Sequence, residues 1–187
     1  MPTSPGFKLS SWANEDVTNI QTSPFSGVTK KLEQFNSVWS GELTLPQMGK
    51  PEGRQWTAFL MSLRGQFGTF YCWDPDAAEP QGTISGTVTA TGTARSREVT
   101  LTGAAGTLKA GDYLQVGNEY KMVIQDWDAG IGGPVLIEPF LRKDHTNSVV
   151  VYSNPKGIFR LSSDERRWEN NEMCLYGITL SIIEDFV

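Results

Sequence analysis

With one histidine, two cysteines and no basic run, this 187-residue sequence is short of the groups that most chemistry needs. A serine-type triad requires a histidine between a nucleophile and an acid. The single candidate, His145, sits in the polar stretch Arg142-Lys143-Asp144-His145-Thr146-Asn147, which reads as a solvated loop. One His and two Cys far apart in sequence write no zinc motif. Asp126, Asp128 and Glu138 match no EF-hand calcium spacing. Gly130-Ile131-Gly132-Gly133-Pro134 lacks both the lysine and the following helix of a phosphate-binding loop. The acidic pairs Asp164-Glu165 and Glu184-Asp185 are adjacent residues, which point to different sides of an extended chain, and nothing nominates two acids facing one cleft. The chain is therefore read as a non-enzyme with no cofactor and no metal.

A strong excess of positive charge is also missing. Twenty-one acidic residues against 16 basic ones give a net charge of −5, and the cations are scattered. Binding to nucleic acid depends on neutralising phosphates with a positive surface, so specific nucleic-acid binding is not expected. No apolar run approaches the ~20 residues of a membrane-spanning helix, which predicts no membrane insertion. The absence of a signal-peptide pattern predicts folding in a reducing cytoplasm. Cys72 and Cys174 both lie in strand-like apolar stretches. They are expected as buried thiols, able to pair only if their strands are neighbours.

What the sequence does have is aromatic residues, glycines and short alternating runs. Six Trp and nine Phe can fill a core, and 19 Gly with 10 Pro, spread along the chain, supply turns between short strands. Residues 1–27 read as an irregular arm or a pair of short edge strands, with a turn at Pro24 and Ser26-Gly27. Phe7, Trp12 and Phe25 make this segment a candidate inter-subunit arm, because so many large apolar groups must pack on something. Val28–Leu45 reads as two strands with a turn near Asn36-Ser37. Glu52–Arg64 is the one convincing helix. Trp56, Phe59, Leu60 and Leu63 form its apolar stripe, Pro51 suits its first turn and Gly65 its exit. Gln66–Trp73 is an aromatic strand ended by Asp74-Pro75-Asp76.

From residue 78 to 152 aromatics thin out and Gly, Thr and Ala rise. Six short strands are expected at Thr83–Val88, Glu98–Leu101, Tyr113–Val116, Glu119–Ile124, Val135–Glu138 and Val149–Tyr152, with Gly117-Asn118 as a hairpin turn. Their size and spacing suggest a small antiparallel barrel, SH3- or OB-like. Trp127, flanked by Asp126 and Asp128, is its candidate contact for a carbohydrate or a partner protein. Aromatic character returns after 153. Ile158–Leu161 is a short strand, and Cys174–Ile183 alternates with Tyr176, Ile178, Leu180 and Ile182 on one face. The fold class is thus mainly β. Residues 1–77 plus 153–187 form a β-sandwich-like host domain with one α-helix, and 78–152 form an inserted β-barrel. The insertion requires the strand ending at Trp73 to lie near the one starting at Ile158. Removing 78–152 is expected to leave the host domain folded.

Several stretches resemble the distal tail proteins of long-tailed, non-contractile bacteriophages. They are W-S-G-E-L-T-L-P from Trp39, the G-x-F-G-T-F-Y-x-W-D-P strand from Gly65, V-L-I-E-P-F-L-R from Val135, P-K-G-I-F-R-L from Pro155 and Y-G-I-T-L-S-I-I-E from Tyr176. The resemblance spans residues ~25–187 by these motifs, with the barrel the weakest part, and its motifs are structural, without catalytic content. It implies a structural virion protein of the tail tip or baseplate, forming a hexameric ring and joining the tail-tube protein to the tip or hub protein. It also implies a virion location after assembly in the host cytoplasm, with a host-surface glycan as a further partner of the barrel. A carbohydrate-binding β-module is the alternative reading.

Overall fold

The computed structural model describes residues 1–186. Two β systems share one chain. The first is a five-stranded antiparallel sheet in the order β1-β2-β15-β12-β3, formed by β1 (Leu9–Thr22), β2 (Thr29–Thr44), β3 (Thr69–Cys72), β12 (Gly157–Leu161) and β15 (Thr179–Glu184). The second is a closed six-stranded barrel. Its strands are β4 (Thr89–Gly92), β5 (Glu98–Thr102), β7 (Tyr113–Val116), β8 (Glu119–Val123), β10 (Val135–Glu138) and β11 (His145–Val151), in the order β10-β5-β4-β11-β7-β8. Two minor ribbons complete the set. One pairs β6 (Thr107–Leu108) with β9 (Trp127–Asp128), the other β13 (Glu169–Asn170) with β14 (Tyr176–Gly177). The chain is mainly β, with one α-helix and a closed barrel.

The chain leaves the sheet and returns to it at adjacent strands, since Cys72 of β3 pairs with Gly157 of β12. The closing strand does what its alternation requires. Ile178, Leu180 and Ile182 are buried, while Thr179 and Ser181 face out. Helix α1 (Lys50–Ser62) lays Trp56 and Leu60 on the same inner face, with Leu63 just beyond its end. It begins with Pro51 in the first turn, and the chain exits through the left-handed region at Arg64 (φ 55°) and Gly65 (φ 75°). Glycine takes that conformation without the Cβ clash that other residues meet.

Four expectations are corrected. Residues 9–44 hold neither an irregular arm nor a pair of short edge strands followed by two more. They form one long hairpin of β1 and β2, and the apparent turn at Asn36-Ser37 is an irregularity in the ladder between Glu15 and Val17. The barrel's first strand is Thr89–Gly92 rather than Thr83–Val88, because Gly86 turns the chain at φ 100° and the inward alternation of Val88 and Ala90 continues past it. His145 is not in a solvated loop: it opens β11 and is buried. Cys174 is exposed, in a turn at φ 57°, whereas Cys72 is buried in β3, and both thiols are free.

The barrel is not a loosely tethered insert. Strand β8 is a shared wall. Its residue Val123 belongs to the barrel core, whereas Tyr120 and Met122 point into the core under the five-stranded sheet. Tyr113 of β7 joins them. Tyr120 stacks on Tyr113 at 5.0 Å and meets Trp39, Trp12 and Phe159 edge-on or tilted at 6.1–6.5 Å. Such aromatic contacts add to the area they bury.

Candidate functional site

The base of the long hairpin, Leu9–Glu15 against Val38–Thr44, lies in the sheet, where β15 covers the other side of β2. Beyond the ladder irregularity, Val17–Thr22 pairs only with Thr29–Gln34. Six paired positions at about 3.4 Å each make a ribbon roughly 20 Å long, before the tip. A two-stranded ribbon alone is at best marginally stable in water. This one nevertheless exposes Val17, Ile20 (59%), Phe25 (99%), Val28 and Leu32 (66%). The register puts Val17 and Leu32 on one face and Ile20 on the other, so both faces carry exposed apolar side chains among their polar ones.

The ribbon is held at its elbow. Ser37 Oγ donates to Asn14 Oδ1 at 2.5 Å across the irregularity. Phe35 packs edge-on to Phe140 of the barrel at 5.2 Å, with the Arg95 guanidinium 5.5 Å above its ring. Its direction is thereby fixed before any partner arrives, which lowers the ordering cost of binding.

Of the three residues nominated for an inter-subunit arm, Phe25 stands at the tip of this ribbon, between β1 and β2. Phe7 and Trp12 pack inside their own chain. Phe7 lies edge-on to Trp56 at 6.4 Å, and Trp12 meets Phe159 at 5.5 Å. Sequence reading ended the arm at residue 27, with Ile20 among its apolar residues, and gave Val28 and Leu32 to the following strand. The signal that could have joined them is apolar residues recurring on both strands of one long pair.

Trp127, Asp126 and Asp128 are brought together at an open cleft of about 370 Å³ on the barrel, lined also by Glu98, Gln125 and Ile131. The Trp127 indole N–H donates to Gly133 O at 3.0 Å, which fixes the ring. Asp126 accepts from Lys109 Nζ at 2.6 Å and from the Ala110 N–H at 2.9 Å, and these bonds hold its carboxyl below the usual range. Asp128 accepts from the Gly130 N–H at 2.7 Å. Asp126 is thus engaged by the segment at Lys109–Ala110 and Asp128 in a local turn, and the cleft's remaining polar side chains are Glu98 and Gln125.

A third feature had no local signal. Between barrel and sheet lies a buried charged seam. Lys121 is fully buried, with Nζ 2.8 Å from Glu119 Oε2 and donating to Phe140 O at 2.9 Å. Glu119 also accepts from the Arg142 N–H at 2.9 Å and contacts His145 Nε2 at 3.0 Å. Glu184 of the sheet accepts from the Trp39 N–H at 3.2 Å, and Arg142 reaches within 3.8 Å of it, its guanidinium lying over the rings of Phe140 and Phe186. The arrangement buries charges with partners and presents no open substrate space beyond a cavity of about 50 Å³.

Among the described residues, no group of three or more His, Cys, Asp or Glu side chains is placed to hold a metal ion, and no helix is long and apolar enough to cross a membrane. No family model matches the chain, and no curated protein matches it.

Proposed function

We propose that this chain is a structural subunit of a bacteriophage tail, forming a ring at the distal end and joining the tail tube to the tip or hub proteins. The observation that carries this reading is the projecting, clamped hairpin with its uncovered apolar side chains. A ring subunit needs one surface that reaches a neighbour and is already fixed in direction. Three of the stretches that resemble distal tail proteins support the reading, because they supply the centre of the five-stranded sheet: Trp39–Leu45 in and after β2, Phe159 and Leu161 in β12, and Ile178–Glu184 leading into and forming β15. The ring is proposed as hexameric, in the virion, after assembly in the host cytoplasm.

The purified chain is expected to show a native mass of about six times the 20.7 kDa of one copy, or to bind a tail-tube ring or tip protein. Phe25→Asp combined with Leu32→Asp is expected to abolish that association while leaving the circular dichroism spectrum unchanged. A chain that stays monomeric and ignores both tail partners overturns the reading.

The cleft at Trp127 favours a second activity on the same particle: a glycan stacking on a fixed indole, with Gln125 and Glu98 as hydrogen-bonding groups. Titration with host-surface glycans is expected to give a binding signal that Gln125→Ala weakens and Trp127→Ala removes. Silence across those glycans sinks this second reading alone.

A further inference from the structure

The five-stranded sheet has two open edges, β1 at one end and β3 at the other. Each of these strands has a neighbour on one side only, which leaves a row of backbone groups able to pair with another chain. The two ends carry different surfaces. The β1 end bears the arm, with Ile20, Phe25, Val28 and Leu32 exposed. The β3 end bears Phe67 (82% exposed) and Tyr71, with Met61 exposed on the helix that leads into it.

Their charges differ as well. Between Val17 and Gln34 the sequence carries Lys30, Lys31 and one acid, Glu33. Between Met61 and Ala78 it carries Asp74 and Asp76 and one cation, the exposed Arg64. The cations nearest that edge in the sheet are already engaged: Arg160 with Asp185 at 3.5 Å, and Lys156 over the Trp73 ring at 4.8 Å. An arm-to-arm contact around a two-fold axis sets Lys30 and Lys31 against their own copies, and like charges across an interface are costly. An arm-to-edge contact brings them instead to an end of the sheet where the acids Asp74 and Asp76 outnumber the one cation, Arg64.

We infer that copies of this chain associate head to tail, the arm of one copy lying across the β3 edge of the next, on Phe67 and Tyr71. This rests on the reading of the arm as an assembly element and names its receptor. The contact is heterologous, so every copy uses both surfaces once. Repetition closes into a ring if the rotation per copy closes, and otherwise runs on as a filament.

Two variants test the contact, both altering exposed side chains. The arm variant is Phe25→Asp with Leu32→Asp, and the edge variant is Phe67→Asp with Tyr71→Asp. The wild-type chain is expected to run as a multimer by native mass spectrometry, and each variant alone as a folded monomer. An equimolar mixture is expected to give a one-to-one dimer and nothing larger. In that pair the edge variant's intact arm meets the arm variant's intact edge, and the two remaining surfaces are dead. An edge variant that still assembles like the wild type overturns the inference, as does a mixture of folded variants that stays monomeric, and either result leaves the proposed role of the arm standing. A wild-type chain that is monomeric alone overturns the head-to-tail contact, while its binding to a tail-tube ring separately decides the proposed function.

Discussion

Glu119→Leu is expected to lower the free energy of unfolding by roughly 3–5 kcal/mol, the usual cost of removing one partner from a buried ion pair. Glu119 is the acceptor on which the seam converges: Lys121 Nζ at 2.8 Å, the N–H groups of Arg142 and Lys143 at 2.9 and 3.3 Å, and His145 Nε2 at 3.0 Å. Without it, the fully buried Lys121 keeps the Phe140 carbonyl and the more distant charge of Glu184. Burial already pushes the Lys121 ammonium below its ordinary range, with Glu119 as the main opposing influence. Lys121→Met in the Glu119→Leu background is expected to restore part of the loss, because no uncompensated charge then remains. A urea titration of the two single variants and the double variant measures this coupling. If Glu119→Leu costs less than about 1 kcal/mol, in the range of an exposed pair, the seam does not hold the barrel to the sheet.

Two acids of the seam, Glu119 and Glu184, respond to pH with opposite signs. Burial raises the Glu119 carboxyl, but the Lys121 charge and hydrogen bond, the Arg142 N–H and His145 outweigh it and leave the group below the ordinary carboxylate range. Its contribution is therefore present above that range and is lost as pH falls through its lower folded value. Glu184 is raised, by burial first, against the pull of Lys121, the Trp39 N–H and Arg142. The folded state holds that proton more tightly than the unfolded one, so Glu184 costs stability as pH rises from the ordinary carboxylate range through its folded value. In Glu119→Leu the acid-side loss shrinks, and the Glu184 slope shrinks with it, because the Glu119 charge is one of the influences that raise Glu184.

Where the pattern along the chain was local, it was legible. The alternation of Ile178, Leu180 and Ile182, the helical stripe of Trp56, Leu60 and Leu63, and the Gly117-Asn118 turn joining β7 to β8 each depend on residues within two turns or one strand of each other. The long hairpin was not legible, because Asn36-Ser37 carries turn chemistry but sits at a ladder irregularity inside a 16-residue strand. Nor was the seam. Lys121 and His145 look like surface residues by type; Glu119 lies two residues from Lys121 on the same strand, but His145, 26 residues from Glu119, and Glu184, 145 residues from Trp39, reach the seam only through the tertiary fold. Of the barrel cleft, Trp127 and its flanking acids were legible as an aromatic between two carboxylates, but what holds Asp126, the segment at Lys109 and Ala110, lies 16–17 residues away and left no local sign.

Tyr120→Ala is expected to destabilise the whole chain by roughly 3–5 kcal/mol, and to lower the melting temperature by roughly 6–20 °C, since a large buried aromatic leaves a cavity that its neighbours fill only in part. The ring belongs by sequence to the barrel and by packing to the core of the sheet. Its hydroxyl accepts from the Asp74 N–H at 3.3 Å, where the chain departs for the barrel, and its carbonyl accepts from Trp39 Nε1 at 3.1 Å. Tyr120→Phe keeps the ring and removes only the hydroxyl, so it is expected to cost about 1 kcal/mol. The same packing revises the expectation that the barrel can be removed. Excising 78–152 strips Tyr113, Tyr120 and Met122 from the core of the sheet and bares Trp12, Trp39 and Phe159, so the remaining chain is expected to be insoluble or unfolded. Calorimetry of the intact protein is expected to show one transition, with sheet and barrel melting together. Two resolved transitions, or an excised chain with native-like circular dichroism, would show that the shared wall of β8 does not couple the two cores.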